Sequence, residues 1–122
     1  MRSFIVVIGA VLVLFASLAR ADSDRSVAIS GAGLDACSAW LTDRGSSSAF
    51  AKAASQARIE WITGFLSGEN LFAESSGHLK GGIDDPDGVN KWIDNYCRAH
   101  PTDPLWVAVA DLVFDLRNHS RE

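Results

Sequence analysis

The sequence predicts an all-α protein, a small bundle of about four helices carrying one disulfide. Three observations predict it. Beyond residue 33, apolar residues recur at three- and four-residue spacing along most of the chain. Two segments open with Asp-Pro, the pairing of a helix N-cap with a proline suited to the first turn. The two cysteines, Cys37 and Cys97, each fall on the apolar stripe of a predicted helix.

The first 21 residues read differently from the rest. Arg2 precedes an uncharged run, Phe4 to Leu18, and Ala19-Arg20-Ala21 follows it. A basic start, an apolar centre and an A-x-A site make residues 1–21 a secretory signal peptide, with cleavage after Ala21. The run falls short of the roughly 20 apolar residues that span a bilayer, so no stable membrane insertion is expected after cleavage. Retention as an uncleaved anchor is the alternative. Residues 22–122 then form a single helical domain, periplasmic or secreted. Arg2 and Arg20 leave with the signal, so nine basic residues face fifteen acidic ones and the formal charge is −6. That balance argues against nucleic acid, whose phosphates ask for a Lys/Arg surface. It also argues against an anionic lipid surface.

Both cysteines lie in the exported part, where an oxidising compartment makes an intrachain disulfide the expectation. It would close a loop of about 60 residues, with a chain-entropy stabilisation of about 4 kcal/mol. Two buried free thiols, or disulfides between chains, are the alternatives.

Gly31-Ala32-Gly33 breaks the chain before the first periodic stretch. Leu34, Cys37 and Leu41, with Trp40 beside them, predict a short first helix with Cys37 on its apolar face. Gly45 to Ser48 is a loop with Ser47 or Ser48 as N-cap. An Ala-rich second helix is predicted from about Ser48 to about Phe72. Phe50, Ala54, Ala57, Trp61 and Phe65 mark its apolar face, widened by Ile62 and Leu66. Gly64 and Gly68 each cost about 1 kcal/mol of helix propensity, which close approach of another helix would offset. A break near Ser67-Gly68, giving two shorter helices, is the competing expectation.

Glu74 to Asp84, with three glycines, is a surface loop. Asp85-Pro86 starts a third helix, with Asp87 in its first turn and Val89, Ile93 and Cys97 along its apolar face. His100-Pro101 ends it. Asp103-Pro104 starts the last helix, with Leu105, Ala108, Val109, Leu112 and Leu116 as its stripe. The four tryptophans, Trp40, Trp61, Trp92 and Trp106, are expected to pack.

The catalytic inventory is thin. His78, His100 and His119 lack ligand spacing, and no nucleophile elbow, phosphate loop or dinucleotide fingerprint is present. Aligning Gly88 with the glycine of a calcium loop puts Asp85 and Asp87 at ligand positions but Ile83 at the first one, so that motif fails. Helix capping accounts for the carboxylates instead. Asn118-His119-Ser120 fits a glycosylation sequon at a frayed end. No catalytic residue, metal or cofactor is predicted.

Several strings resemble a largely uncharacterised family of small exported bacterial proteins. They are Gly31-Ala32-Gly33, Cys37, the run from Trp61 to Gly68 (WITGFLSG) and the run from Trp92 to Pro101 (WIDNYCRAHP). The plan is similar to that of immunity proteins that neutralise type VI secretion amidases, and to HdeA/HdeB-type acid-stress chaperones. Both resemblances imply all-α periplasmic proteins with a structural disulfide, often dimeric and without catalysis.

The expected function is therefore a non-catalytic exported binding protein, of immunity type, acting on a protein partner. The Glu74 to Asp84 loop is the candidate contact, with Glu74, His78, Lys80 and Asp84 as its polar side chains. An acid-stress chaperone is the alternative, and an envelope protein with some other interaction role is a further one. Lysine occurs in the domain only at Lys52, Lys80 and Lys91, which departs from the lysine-rich tails of the HdeA type.

Overall fold

The computed structural model describes residues 28–73, 79 and 84–119. The predicted signal segment and the loop residues Glu74, His78 and Lys80 lie outside them. Four α-helices follow one 3-10 turn, Gly31–Leu34: α1, Cys37–Arg44; α2, Ala49–Leu71; α3, Pro86–Ala99; and α4, Leu105–His119. Among the described residues the fold class is the predicted one, all-α with the Cys37–Cys97 disulfide, whose Cα atoms lie 4.9 Å apart.

The first helix is divided where the sequence predicted continuity. Asp35 and Ala36 are extended, and Leu34 is 58% exposed instead of facing the core with Cys37. The reason lies in how two helix starts satisfy each other. The first N–H groups of a helix have no partner within it. Here the Cys37 and Ser38 N–H groups donate to the carbonyls of Asp103 and Pro101, at 2.8 and 2.9 Å. The Leu105 N–H at the start of α4 donates in return to the carbonyl of Asp35, at 2.8 Å. Only an extended Asp35-Ala36 reaches both, and Ala36 pairs with Pro104 as an isolated bridge. The disulfide sits beside this double cap and fixes the first residue of α1 to the last turns of α3.

Helix α2 runs unbroken from Ala49 to Leu71, so a split near Ser67-Gly68 does not occur. Ser48 caps it, its Oγ accepting from the Ala51 N–H at 3.1 Å. The apolar face is rotated from the expected one. Ala51, Arg58, Ile62 and Leu66 are buried, whereas Phe50 is 84% exposed and Ala57 is exposed. Trp61 and Phe65 are half-buried at the edge. Close approach of another helix at Gly64 and Gly68 is also overturned: a Cβ at either would meet nothing within 4 Å. The close approach falls at Gly33, under the ring of Trp61.

Helix α3 begins as its sequence requires. Asp85 Oδ1 accepts from the Gly88 N–H at 2.8 Å, Pro86 follows, and Val89, Ile93 and Cys97 are buried. Helix α4 starts at Leu105, one residue after Pro104. Asp103 is not a side-chain cap there, because its carboxylate takes the Tyr96 hydroxyl at 2.9 Å. The α4 stripe of Leu105, Ala108, Val109 and Leu112 is buried, joined by Val113. The core gathers these residues with Cys37, Trp40, Ile62, Leu66, Leu79, Val89, Ile93 and Cys97. Of the four tryptophans, Trp40 is fully buried, and Trp61 and Trp92 pack against the core from its edge.

Candidate partner-binding surface

The polar side chains that tie the helices together leave a distinct set outside. Asp94 on α3 accepts from Trp40 Nε1 at 2.8 Å and from the Arg44 fork at 2.7 and 3.0 Å. The Arg44 guanidinium also lies 4.8 Å from the Trp40 ring centroid. Arg58, the buried charge of α2, donates to Asp35 at 2.8 Å and to Asp43. Burial pushes its pKa down, and the two carboxylates more than offset this, so it ends above its ordinary value. Arg117 of α4 pairs with Glu69 of α2. These groups are committed to holding the fold.

Along α3, Trp92, Tyr96 and His100 stack one turn apart, with ring centroids 5.7 and 4.5 Å apart. Trp92 Nε1 donates to Asp115 at 3.2 Å, and the Tyr96 hydroxyl donates to Asp103. Burial, then the bond to Asp103, pushes the Tyr96 pKa up to about 12. His100, which ends α3, stacks on the Tyr96 ring with its Nδ1 3.8 Å from Asp103.

Of the four candidate loop residues, only Asp84 is described. It is exposed and precedes the cap residue Asp85. Its grouping with Glu74, His78 and Lys80 lies outside the described residues. Asp85, tested above as a calcium ligand, is the α3 cap, and Asp87 is exposed in the first turn. Among the described residues, no group of three His, Cys, Asp or Glu side chains is placed to hold a metal ion. No described helix is long and apolar enough to cross a membrane.

Of the exposed apolar residues, Leu34 and Phe50 were expected on apolar faces, whereas Leu71, Phe72 and Phe114 were not singled out as surface features. Leu71 is 77% exposed, Phe72 80% and Phe114 70%. Phe114 stands about half a turn away from the core stripe of α4, so helical spacing alone distinguishes it from its neighbours Leu112 and Val113. Leu71 and Phe72 end α2, two and three residues after Glu69. Phe114 stands one turn before Arg117, which pairs with Glu69.

Two of the grooves beside α3 are mainly apolar. One, of about 260 Å³, runs between α2 and α3 over Ile59, Ile62, Leu66 and Val89. The other, also of about 260 Å³, lies between α3 and α4, with Val89, Trp92, Leu112 and Leu116 below and Asp85 and Asp115 at its rim. Chemically these features are apolar relief on an acidic surface, suited to binding. The chain matches no family model, no curated protein and no solved structure.

Proposed function

We propose that the protein is a non-catalytic exported binding protein of immunity type, which holds a secreted cell-wall amidase inactive in the periplasm. The observation that carries this reading is the exposure of Leu71, Phe72 and Phe114 on a helical frame braced by a buried disulfide. Large apolar side chains held out by a rigid scaffold characterise the centre of a protein interface. The acidic surface around them favours a basic partner and speeds encounter with it. The disulfide fits an oxidising compartment. The test is retention of periplasmic proteins on the tagged mature domain, followed by an assay of peptidoglycan hydrolysis by any amidase retained. Inhibition that weakens with Phe72→Ser and Phe114→Ser supports the reading; an amidase hydrolysing at full rate in its presence removes it.

One observation favours the acid-stress chaperone as the second reading. Among the described residues, every side-chain hydrogen bond or ion pair joining different helices ends on a carboxylate: Asp94, Asp43, Asp115 or Glu69. Protonating these acceptors weakens the polar ties between helices and favours exposure of apolar surface. Suppression of client aggregation at about pH 3 but not at pH 7 would favour it over the inhibitor.

A further inference from the structure

We propose that the groove between α3 and α4 is a socket for one arginine or lysine side chain of a basic protein partner, an inference that rests on the binding reading above. Such a side chain has two chemical parts, an apolar stem and a charged head. The groove has the matching parts in the matching order. Val89, Leu112 and Leu116 form an apolar floor, Trp92 lines one side, and Asp85 and Asp115 stand at the rim, within a volume of about 260 Å³.

Both carboxylates are fixed in place without being neutralised. Asp85 Oδ1 accepts from the Gly88 N–H at 2.8 Å, and Asp115 Oδ2 accepts from Trp92 Nε1 at 3.2 Å. Each of these donors is uncharged, so neither hydrogen bond supplies a counter-charge. Among the described residues, His119 is the basic group facing Asp115, with Nδ1 3.5 Å from Oδ1 and 2.9 Å from the backbone carbonyl of Asp115. It competes as a cation only when protonated. Arg117, two residues beyond Asp115, is engaged by Glu69. Asp87 of α3, Asp111 of α4 and Asp84, just before the α3 cap, are exposed and extend the negative field. A guanidinium gains most here, since its planar fork matches carboxylates and its stem packs on an indole.

The test is built around conservative variants. Asparagine caps a helix as well as aspartate, and its amide oxygen still accepts from an indole. Asp85→Asn combined with Asp115→Asn therefore removes the charges and keeps both internal hydrogen bonds. The probe is blocked glycyl-arginyl-glycine amide, with the neutral citrulline peptide as control, titrated into the mature protein by NMR. Of the four indole N–H resonances, that of Trp92 is expected to move saturably with the arginine peptide and to stay still with citrulline. Affinity in the double variant is expected to fall by about fivefold or more. Leu116→Lys, which sets an ammonium of the chain's own in the groove, is expected to abolish the shift and decides the matter if the double variant is misfolded. Equal shifts with citrulline, or unchanged affinity in folded variants, would overturn the socket. An amidase held equally by wild type and double variant would sink the socket and spare the inhibitor reading. Peptide binding with no amidase retained would do the reverse.

Discussion

Gly33 lies so close beneath Trp61 that a Cβ on it would come within 2.1 Å of the ring carbon Cζ2. The indole is pinned there, because its Nε1 donates to the carbonyl of Ser30 at 2.9 Å. The segment before α1 and the middle of α2 are thus locked together by a missing side chain. Gly33→Ala must push away either the indole or the backbone. A loss of about 1–3 kcal/mol is expected, the usual cost of overpacking. Urea unfolding measures it, and an unchanged midpoint would show that the segment moves freely.

Gly64 makes the opposite case. It lies inside α2, exposed, with open space where its Cβ would be. Gly64→Ala is therefore expected to stabilise the protein by about 0.5–1 kcal/mol, through helix propensity and a less flexible unfolded chain. The two alanine substitutions differ in sign, so a single pair of urea melts with equal slopes compares them.

These two glycines also show what a linear reading misses. Gly64 and Gly68 invited a close-packing explanation because a helix containing glycine needs one, yet α2 bears their cost unaided. Gly33 sits in an aperiodic segment, where nothing local announces the tryptophan 28 positions further on. The face of α2 was misplaced for a related reason. Its centre passes through Arg58, a residue that a hydrophobic pattern rejects, and the compensating Asp35 and Asp43 come from another part of the chain. By contrast α3 was legible throughout, since its cap, proline and apolar stripe are all local in sequence. Its disulfide partner was legible because only one other cysteine exists. The α3–α4 groove was not, because Asp85 and Asp115 come to line one groove only through helix apposition.

The disulfide is expected to be indispensable to the double cap of α1 and α4. It joins residues 60 apart in sequence, and both sulfur-bearing residues are fully buried. Cys97→Ser is expected to cost about 2–5 kcal/mol. Thiol labelling of the native protein without reductant should find no free cysteine. Complete labelling of the native protein would refute the bond.

Asp94 gathers an indole and a guanidinium from α1 onto α3, with its side chain 18% exposed. Asp94→Ala strands the Trp40 Nε1–H in a buried ring and frees Arg44. A loss of about 1–3 kcal/mol is expected. Asp94→Asn keeps an acceptor for the indole and should recover part of it. Equal losses for the two variants in urea melts would mean that the charge pair with Arg44, not the indole, carries the contact.

Tyr96 provides a pH test with one chromophore, because it is the only tyrosine in the chain. Its hydroxyl donates to Asp103, and burial with that bond raises its pKa to about 12 in the folded state. In the unfolded chain it should ionise near pH ~10. The fold therefore favours the protonated phenol. The stability this contributes is complete below about pH 10 and is lost as pH rises through about 12. Tyrosinate absorbance should show a midpoint near 12 in buffer and about two pH units lower in guanidinium. Tyr96→Phe should weaken the protein at neutral pH and flatten its loss of stability between these two values. A folded-state midpoint at the unfolded value would mean that Asp103 does not hold the hydroxyl in solution.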